Sequence, residues 1–242
     1  MILYYAIGGG LGHLSRARRV LTRLGLRNRA VILTALDEPV LAGGIPTIRS
    51  ADFNAYERII VDAFPCGVTG ELRGLDVPMD YVARLLKWDD YAAATGAVMP
   101  HFETTYLVEP VTHAIDSQRF VELDLSEPPE MAEEEDFWLV AHSGDDDEIQ
   151  HLTGYARELQ SIEGIDAPIV VARRTFPLAP LLARAARIVS AAGFNIMLET
   201  QAWRQKHHVV PLPRRYDDQF TRAARRRKLI GQQTTGSGQQ TG

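Results

Sequence analysis

Short apolar runs rich in Val and Ile alternate with stretches whose apolar residues recur every three or four positions. This alternation of predicted strands and helices is typical of a parallel β-sheet, so the chain is predicted to be an α/β protein. Strands are predicted at residues 2–7, 30–35, 46–50, 57–63, 104–109, 119–125, 137–142, 168–173, 187–191 and 207–212. Helical stripes comprise Leu14, Ala17, Leu21 and Leu24, then Tyr81, Leu85, Trp88 and Ala92, and then Ile149, Leu152, Ala156 and Leu159.

One acidic segment interrupts this alternation. Residues 126–136 contain two prolines and six acids, which cannot bury a hydrophobic core. We predict that they link an N-terminal lobe, residues 1–125, to a C-terminal lobe, residues 137–230. Each lobe is near the lower size of an independent α/β unit. Residues 231–242 contain only Gly, Gln, Thr and Ser, a composition that predicts a disordered tail.

Composition and charge narrow the classes of protein. The net charge of −5 gives no global argument for nucleic-acid binding, and no apolar run is long enough to predict a membrane span. The first seven residues lack a positive leader and are expected to form a strand rather than a signal peptide. The single cysteine, Cys66, excludes an intramolecular disulfide and suits a reducing compartment, so a cytoplasmic location is expected. Seven Lys and Arg residues between Arg214 and Lys228 are either a solvated surface or a contact for an acidic membrane surface or a substrate phosphate.

Residues 8–15, Gly-Gly-Gly-Leu-Gly-His-Leu-Ser, join the first predicted strand to a helix with four arginines. Glycines let backbone N–H groups approach a ligand, and a helix N-terminus favours negative charge. His13 lies inside this turn, where an imidazole can act as a base; packing or capping is the alternative role. The loop is not a dinucleotide fingerprint, because His13 replaces the third glycine. It is not a P-loop, because no lysine precedes Lys87.

A second junction of strand, glycine and helix lies near the other end of the chain. The strand predicted at 187–191 ends before Gly193, and a helix is predicted to begin near Phe194 and Asn195. Backbone donors there suit an anion such as a diphosphate, although a tight turn with an ordinary cap is the alternative. Glu199 follows about one turn later, where a carboxylate can accept hydrogen bonds from a ribose diol.

The last predicted strand leads to Asp218 and Gln219 at another helix start. These side chains are suited to binding sugar hydroxyls, although an acid at a helix N-terminus is explained nearly as well by the helix dipole. His207 and His208 suggest a metal ion. Adjacent residues of a strand point to opposite faces, however, so one metal cannot easily use both, and no metal site is predicted.

Three motifs in this order resemble those of two-lobed glycosyltransferases of the GT-B fold. They are the front loop Gly-Gly-Gly-x-Gly-His, the stretch Asp62–Leu72 (Asp-Ala-Phe-Pro-Cys-Gly-Val-Thr-Gly-Glu-Leu), and the series Ala-Gly-Phe-Asn…Glu…Pro…Asp-Asp-Gln…Ala. The chain is similar to glycosyltransferase family 28, which includes the transferase that adds N-acetylglucosamine to lipid II, and to related predicted glycosyltransferases. The resemblance spans residues 1–72 and 137–226. It implies two Rossmann-like lobes that face a cleft, in a shortened form.

The resemblance also implies roles for particular residues. A nucleotide sugar, expected to be a UDP-sugar, would bind to the C-terminal lobe, and an unknown acceptor would bind to the N-terminal lobe. His13 would remove the proton of the acceptor hydroxyl if the reaction inverts configuration, and helix dipoles and loop N–H groups would stabilise the diphosphate without a metal or cofactor. The residues implied for the donor nucleotide are Ser143, Gly144, Gly193, Phe194, Asn195 and Glu199. Those implied for the donor sugar are Asp218 and Gln219, and those of the front loop are Gly9, Gly10 and Gly12.

The chain departs from this family pattern in two respects. It is shorter than typical members, and its first C-terminal loop has His142-Ser143-Gly144 where relatives have glycines. The four acids at 145–148 would repel a diphosphate unless they point away or hold a cation, and a solvated helix start is the other interpretation. Two alternatives therefore stay open: a nucleotide-sugar epimerase of the same fold, and a non-catalytic nucleotide-sugar-binding protein.

Overall fold

The computed structural model describes residues 1–8 and 10–236, with side chains up to Leu229, and divides into two compact units. Unit 1 comprises Met1–Leu125 and Arg215–Asp217. Unit 2 comprises Ser126–Arg214 and the chain from Asp218 onwards. Each unit contains a parallel β-sheet with helices, so the protein is α/β with two separate sheets, consistent with Rossmann-like units.

Unit 1 contains a seven-stranded parallel sheet. Its strands are β1 (Ile2–Tyr5), β2 (Ala30–Leu33), β3 (Thr47–Ile48), β4 (Arg58–Asp62), β5 (Met79–Ala83), β6 (His101–Leu107) and β7 (Asp116–Glu122). Its helices are α1 (Leu11–Arg23), α2 (Pro39–Ala42) and α3 (Trp88–Thr95), with a 3-10 turn at Phe53–Ala55. The strand order is β3-β2-β1-β4-β5-β6-β7, so the direction of winding reverses between β1 and β4. Ligands of open α/β sheets bind outside the carboxyl ends of the strands at such a switch point.

The central strands of unit 1 are buried on both faces. All four residues of β1 and all five of β5 are buried, and one face forms a core with Leu3, Tyr5, Ile59, Val61 and Tyr81 among its members. The stripe predicted on α1 is confirmed at Leu14, Ala17 and Leu21, which are fully buried, whereas Leu24 is the C-cap residue after the helix and is only partly buried.

Unit 2 contains a four-stranded parallel sheet. Its strands are β8 (Glu135–Ala141), β9 (Ile169–Ala172), β10 (Ala185–Ala191) and β11 (His207–Val210). Its helices are α4 (Asp146–Glu163), α5 (Ala179–Arg184), α6 (Phe194–Glu199) and α7 (Gln219–Gly236), with a 3-10 turn at Arg204–Lys206. The order β11-β10-β8-β9 places a switch point between β8 and β10. Separate clusters around Leu139 and around Trp138 form the hydrophobic core of this unit.

The predicted helix through Tyr81, Leu85, Trp88 and Ala92 is wrong in its first half. Met79–Ala83 is strand β5, and the helix α3 begins only at Trp88. A strand buried on both faces need not alternate polar and apolar residues, and β5, Met-Asp-Tyr-Val-Ala, shows no such alternation. The end of β5 and the start of α3 therefore match the helical spacing by coincidence. The stripe at Ile149–Leu159, by contrast, lies within α4 as predicted.

The ends of several elements differ from the sequence-based expectation. The strand predicted at 137–142 begins two residues earlier, at Glu135, so the stretch without helix or strand before it is residues 123–134. Helix α7 continues to Gly236, beyond the start of the tail predicted at residue 231. Residues 237–242 and Gly9 lie outside the described residues. None of the described helices is long and apolar enough to cross a membrane.

Candidate functional site

The switch point of unit 1 brings together a histidine, an aspartate and an arginine. His13 is in the first turn of α1, Arg16 follows three residues later, and Asp62 is the last residue of β4. Arg16 donates Nε to Asp62 Oδ1 at 2.6 Å and Nη2 to Oδ2 at 2.7 Å, and His13 Nδ1 lies 2.7 Å from Oδ2. All three residues are buried: His13 is 7% exposed, Arg16 2% and Asp62 0%. Because the charges of Arg16 and Asp62 cancel, the cluster is buried without net charge while His13 is neutral.

This cluster fixes the tautomer of His13. Burial raises the pKa of Asp62, but the charge of Arg16 and the hydrogen bond from His13 outweigh it and hold that pKa well below its usual value. An ionised carboxylate only accepts hydrogen bonds, so His13 donates from Nδ1 and its Nε2 is the basic nitrogen. Burial lowers the pKa of His13 more than Asp62 raises it, so the imidazole is neutral at pH 7. A neutral imidazole oriented by a carboxylate is suited to accept a proton.

Glycine backbone lies beside the basic nitrogen of His13. A Cβ atom on Gly8 would overlap His13 Nε2, so no larger residue fits there unless His13 moves. Gly10 is the N-cap residue of α1, and a Cβ atom there would meet nothing within 4 Å. Gly12 is the second residue of α1. The predicted front-loop residue Gly9 lies outside the described residues, so its role stays a prediction.

The backbone directly after Asp62 has a rare conformation. Ala63 has a φ of 67°, and Phe64 N donates to Asp62 O at 2.8 Å, which closes a γ-turn. Tyr81 holds this turn by donating its hydroxyl to Ala63 O at 3.1 Å. The ring of Phe64 stacks on His13 with centroids 5.5 Å apart. A strained turn typically costs about 1–3 kcal/mol and persists only where its surroundings hold it. Here the hydroxyl of Tyr81 holds the turn, and the turn places Asp62 and Phe64 against His13.

A second ion pair lies in unit 1 beside this cluster. Arg84 directly follows β5, is buried, and donates Nη1 to Asp217 Oδ1. Asp62 is the ladder partner of Val82, so Arg84, two residues further on, is on the same face of the sheet as Asp62. Burial is the main cause of the low pKa of His13, and the positive charge of Arg84 adds to it. Arg84 is therefore a buried cation close enough to His13 to affect its protonation.

In unit 2, the residues implied for the donor diphosphate follow neighbouring strands. Ser143 and Gly144 follow β8, Gly193 is the N-cap residue of α6, and Phe194 and Asn195 are the first two residues of that helix. β8 and β10 pair in parallel, so both loops lie at the same edge of the sheet and at its switch point. The structure thus brings these five residues to one sheet edge.

A second cluster of a histidine, a carboxylate and an arginine lies beside the loop after β8, with His142 from that loop, Glu148 from α4 and Arg214 from the segment after β11. Arg214 donates to both carboxylate oxygens of Glu148, with Nη2 2.8 Å from Oε2, and His142 Nε2 lies 2.7 Å from the same Oε2. The hydrogen bonds from Arg214 are the main cause that lowers the pKa of Glu148 to about 2. A Cβ atom on Gly144 would overlap both His142 Nε2 and Glu148 Oε2. A larger residue at position 144 would therefore displace the side chain of His142 or Glu148.

The other acids of this loop belong to the start of α4. Asp145 is the N-cap residue and accepts a hydrogen bond from Glu148 N at 2.9 Å. Asp146 pairs with Arg173, and Asp146 and Asp147 lie in the first turn, where acids suit the positive end of the helix dipole. Within the described residues, no group of three or more His, Cys, Asp and Glu side chains could hold a metal ion. The acidic loop is therefore a helix start whose charge is partly neutralised.

The remaining residues implied for the donor have structural contacts of their own. Glu199 is the last residue of α6, about 7.5 Å along the helix axis from Phe194. Asp218 Oδ1 accepts a hydrogen bond from Thr221 N at 3.0 Å and caps α7. Gln219 is buried, and its Oε1 accepts a hydrogen bond from Leu212 N at 3.0 Å. These contacts explain Asp218 and Gln219 in the fold, and their part in binding a sugar stays a prediction.

The basic stretch before and within α7 is not a uniform surface. Arg222 and Arg226 are buried, and they donate to Ala192 O at 2.8 Å and to Met197 O at 3.1 Å. A solvated or membrane-facing role is therefore wrong for these two arginines. They support the loop before Gly193 and the helix that follows it.

His207 and His208 have different neighbours, as the geometry of a strand predicts. His207 is buried, with Nε2 2.8 Å from Ser190 Oγ, and burial together with the charge of Arg226 lowers its pKa to about 3. His208 stacks on Trp138 with centroids 6.0 Å apart. One metal ion cannot use both imidazoles in this arrangement.

An open cavity in unit 2 lies at a different edge from the candidate loops. It is lined by residues near the amino ends of β10 and β11, including Arg187 and His208, together with Trp203. Its acids and bases pair with one another, as Lys206 Nζ does with Glu134 at 3.2 Å. Since the candidate loops follow the carboxyl ends of the strands, this cavity is not part of them.

Arg16, Arg84 and His142 have no role predicted from the sequence, Glu148 is considered there only as one of the four acids at 145–148, and Asp62 is noted only as part of a motif. Two signals could have found the first cluster. Asp62 is an acid that ends an apolar strand, and His13 and Arg16 have the i, i+3 spacing that places side chains on one face of a helix.

No protein-family model matches the sequence, and no curated protein matches it. The family resemblance therefore rests on the motifs themselves.

Proposed function

We propose that the chain is a glycosyltransferase of the two-lobed GT-B type that transfers a sugar from a nucleotide sugar, a UDP-sugar, to a hydroxyl of an acceptor. Unit 1 would bind the acceptor, unit 2 would bind the donor, and the two would face a cleft. The observation that carries the proposal is the His13–Asp62 hydrogen bond at the switch point of unit 1, which makes Nε2 the basic nitrogen. The five loop residues at the switch point of unit 2 support it.

In this reaction His13 removes the acceptor proton. The hydroxyl proton moves to Nε2, the oxygen forms a bond to the anomeric carbon, and the bond from that carbon to the diphosphate breaks. Asp62 stabilises the resulting imidazolium, and the two hydrogen bonds from Arg16 keep the carboxylate ionised and in place. A single displacement of this kind inverts the anomeric configuration.

The leaving diphosphate carries the negative charge that unit 2 is suited to bind. Helix α6 begins at Phe194 without a side-chain cap on Gly193, so its first N–H groups are oriented toward the loop edge. Ser143 and Gly144 add backbone groups from the neighbouring strand. Arg173 and Arg214 offset acids of the same loop, which reduces the repulsion expected from residues 145–148. Electrostatic stabilisation by fixed dipoles needs no metal ion.

The decisive experiment measures donor binding and turnover with and without His13. A panel of UDP-sugars is titrated by calorimetry, and UDP release is assayed with a panel of hydroxyl acceptors. His13→Ala should retain donor affinity and lose about 10²- to 10⁴-fold in rate, which is the usual contribution of a general base. His101→Ala is the matched control, because His101 also pairs with an aspartate, Asp116, but is exposed. Absence of binding to every UDP-sugar at millimolar concentration would overturn the proposal.

The burial of His13 favours one alternative, a protein that binds a nucleotide sugar without catalysis. That alternative predicts donor binding, no UDP release with any acceptor, and no effect of His13→Ala. Incubation with UDP-N-acetylglucosamine alone tests the epimerase at the same time, because an epimerase needs no acceptor.

A further inference from the structure

Strand β9 is an exposed edge of the sheet in unit 2. It pairs with β8 on one side, and Val170 and Val171 are 38% and 43% exposed. An edge strand presents backbone N–H and C=O groups that can pair with another strand, and proteins usually protect such edges by short length, charge or covering segments. The sequence of β9, Ile-Val-Val-Ala, contains neither a charged residue nor a proline.

The other three sheet edges of the described chain are protected. β3 has only two residues, and β11 is buried or half-buried along its length. β7 is exposed but charged. Antiparallel pairing with a second β7 about its central residue, Arg119, would place Arg119 opposite Arg119 and Asp116 opposite Glu122, and like charges in those positions are repulsive. Of these four edges, β9 is therefore the one suited to pair with a further strand.

The hydrogen bonds between β8 and β9 show which backbone groups are left at the outer side of β9. Trp138 N donates to Pro168 O, and His142 N donates to Ala172 O, so the even-numbered residues of this segment direct their backbone groups toward β8. Ile169 and Val171 therefore direct theirs away from the sheet.

The outward groups of β9 are self-complementary in an antiparallel arrangement. Two residues that face each other in an antiparallel pair can exchange both N–H···O bonds. Pairing Ile169 of one copy with Val171 of a second copy therefore uses the N–H and C=O groups of both residues on both strands. This register has a two-fold axis at Val170.

The same register brings opposite charges together. Continued beyond the strand, it places Asp166 of each copy opposite Arg174 of the other. Both residues are exposed, whereas Arg173 already pairs with Asp146 of its own chain. Opposite charges directly across two strands stabilise their pairing. Backbone and charge thus favour the same partner, which is β9 itself.

We propose that β9 is a self-association surface whose partner is a second copy of this chain. The two copies join their β9 strands antiparallel about a two-fold axis at Val170, so that two four-stranded sheets form one continuous sheet. Such an interface is isologous, because both copies contribute the same surface. It lies within unit 2 and does not depend on the transferase activity proposed above.

Analytical ultracentrifugation and backbone hydrogen exchange test this pairing on the full chain. The mass should rise from that of one chain toward that of two as the concentration reaches the millimolar range. At high concentration the amides of Ile169 and Val171 should become protected, whereas those of Val170 and Ala172 are protected at every concentration because they bond to β8. This alternation is specific to edge pairing and would not arise from a contact made by another surface.

Two variants disrupt the outer side of β9 and leave its pairing with β8 in place. Val170→Lys puts two lysines opposite each other at the axis and should weaken dimerisation at least about tenfold. Val171→Pro removes an N–H that points outward, so dimerisation should fall by about tenfold or more while the bonds between β8 and β9 remain. Val98→Lys is the matched control, because Val98 is 80% exposed in unit 1, and it should leave dimerisation unchanged.

An exchange of charges tests the register. Asp166→Arg and Arg174→Asp alone should each weaken dimerisation by about threefold or more, and the two changes combined in one chain should restore it. Position 174 has a left-handed backbone, with a φ of 51°, which an aspartate tolerates.

The proposal would be overturned if the wild-type chain stayed monomeric at millimolar concentration, which would leave the edge to a strand of another protein. A dimer that Val170→Lys and Val171→Pro leave intact, or whose Ile169 and Val171 amides stay unprotected, would equally overturn it. So would a charge exchange that fails to restore dimerisation. These outcomes differ from failure of the proposed transferase, which appears as absence of UDP-sugar binding.

Discussion

Asp62 is the residue on which the other members of the unit 1 cluster depend. It accepts two hydrogen bonds from Arg16 and one from His13, and it is fully buried. Without its charge, Arg16 would lose the carboxylate that accepts two of its hydrogen bonds, and His13 would lose the partner that fixes its tautomer. The effect of Asp62 on stability and its effect on proton transfer therefore both come from its negative charge.

Replacing Asp62 with Asn should destabilise the protein and reduce turnover together. Loss of one member of a buried ion pair typically costs about 3–5 kcal/mol of unfolding free energy. Urea unfolding measures the change, and UDP release measures the rate. Asp116→Asn removes the carboxylate of an exposed His–Asp pair and should cost less than about 1 kcal/mol. Equal losses in the two variants would contradict the central position of Asp62.

His207 gives the stability of unit 2 a defined dependence on pH. Its pKa is lowered to about 3, first by burial and then by the charge of Arg226. Below about pH 6.5 the unfolded chain binds a proton at His207, whereas the folded chain does not until the pH is near 3. The contribution of His207 to the unfolding free energy is therefore complete above about pH 6.5. As the pH falls from about 6.5 toward 3, the unfolding free energy should fall.

His207→Gln removes this titration and keeps a polar side chain. Urea midpoints measured between neutral and acidic pH should fall less steeply in the variant than in the wild-type chain. His151→Gln, at an exposed position of α4, is the control and should leave the slope unchanged. A variant slope equal to that of the wild type would mean that the buried His207 does not contribute.

At the scale of elements, the charged ends of helices explain features that resemble functional motifs. The acids at 145–148 form the start of α4, and Arg222 and Arg226 of α7 support α6 and the loop before it. Both charge clusters therefore have structural causes within unit 2. Two acids at the start of α4 stabilise the helix differently, because Asp145 accepts a hydrogen bond at the N-cap whereas Asp147 lies in the first turn.

Asp145→Ala should cost about 1 kcal/mol of unfolding free energy, because it removes the side-chain acceptor of Glu148 N. Asp147→Ala, in the first turn of the same helix, removes only a dipole interaction and should cost about 0.3–1 kcal/mol at low salt. Urea unfolding at low and high salt separates the two effects, since only the second should vanish with salt. An Asp145 effect that vanishes equally would mean that the hydrogen bond is not the cause.

At the scale of the whole molecule, two parallel sheets each place a cluster of a histidine, a carboxylate and an arginine at a switch point. In unit 1 the members come from β4 and α1, and in unit 2 from the loop after β8, α4 and the segment after β11. Each cluster also has a glycine whose Cβ atom would overlap a histidine. The same topology thus produces a similar chemical environment twice in one chain.

The segment before β8 should be the first site of limited proteolysis. Residues 127–134 are exposed and have no helix or strand, and exposed irregular backbone is where nicking concentrates. A glutamate-specific protease should cleave first after Glu130, Glu133 or Glu134 and yield two fragments, which mass spectrometry identifies. Earlier cleavage within α4, after Glu148 or Glu158, would contradict the division into two compact units.

The sequence by itself determined the elements whose pattern is local. Apolar periodicity located α1 and α4, alternation indicated parallel sheets, and the glycine loops after β1 and β10 were visible as motifs. It failed at β5, because a strand buried on both faces has no alternating pattern. Local pattern also could not show that Arg222 and Arg226 are buried.

Only the tertiary structure decided which charged groups meet. His13 and Asp62 are 49 positions apart, and Arg84 and Asp217 are 133 positions apart. These pairs depend on the order of strands in the sheet, which fixes the loops that share an edge, and hydrophobic periodicity contains no information about that order. The sequence could therefore identify His13 as a candidate base, whereas its protonated nitrogen and the charged groups around it follow from long-range packing.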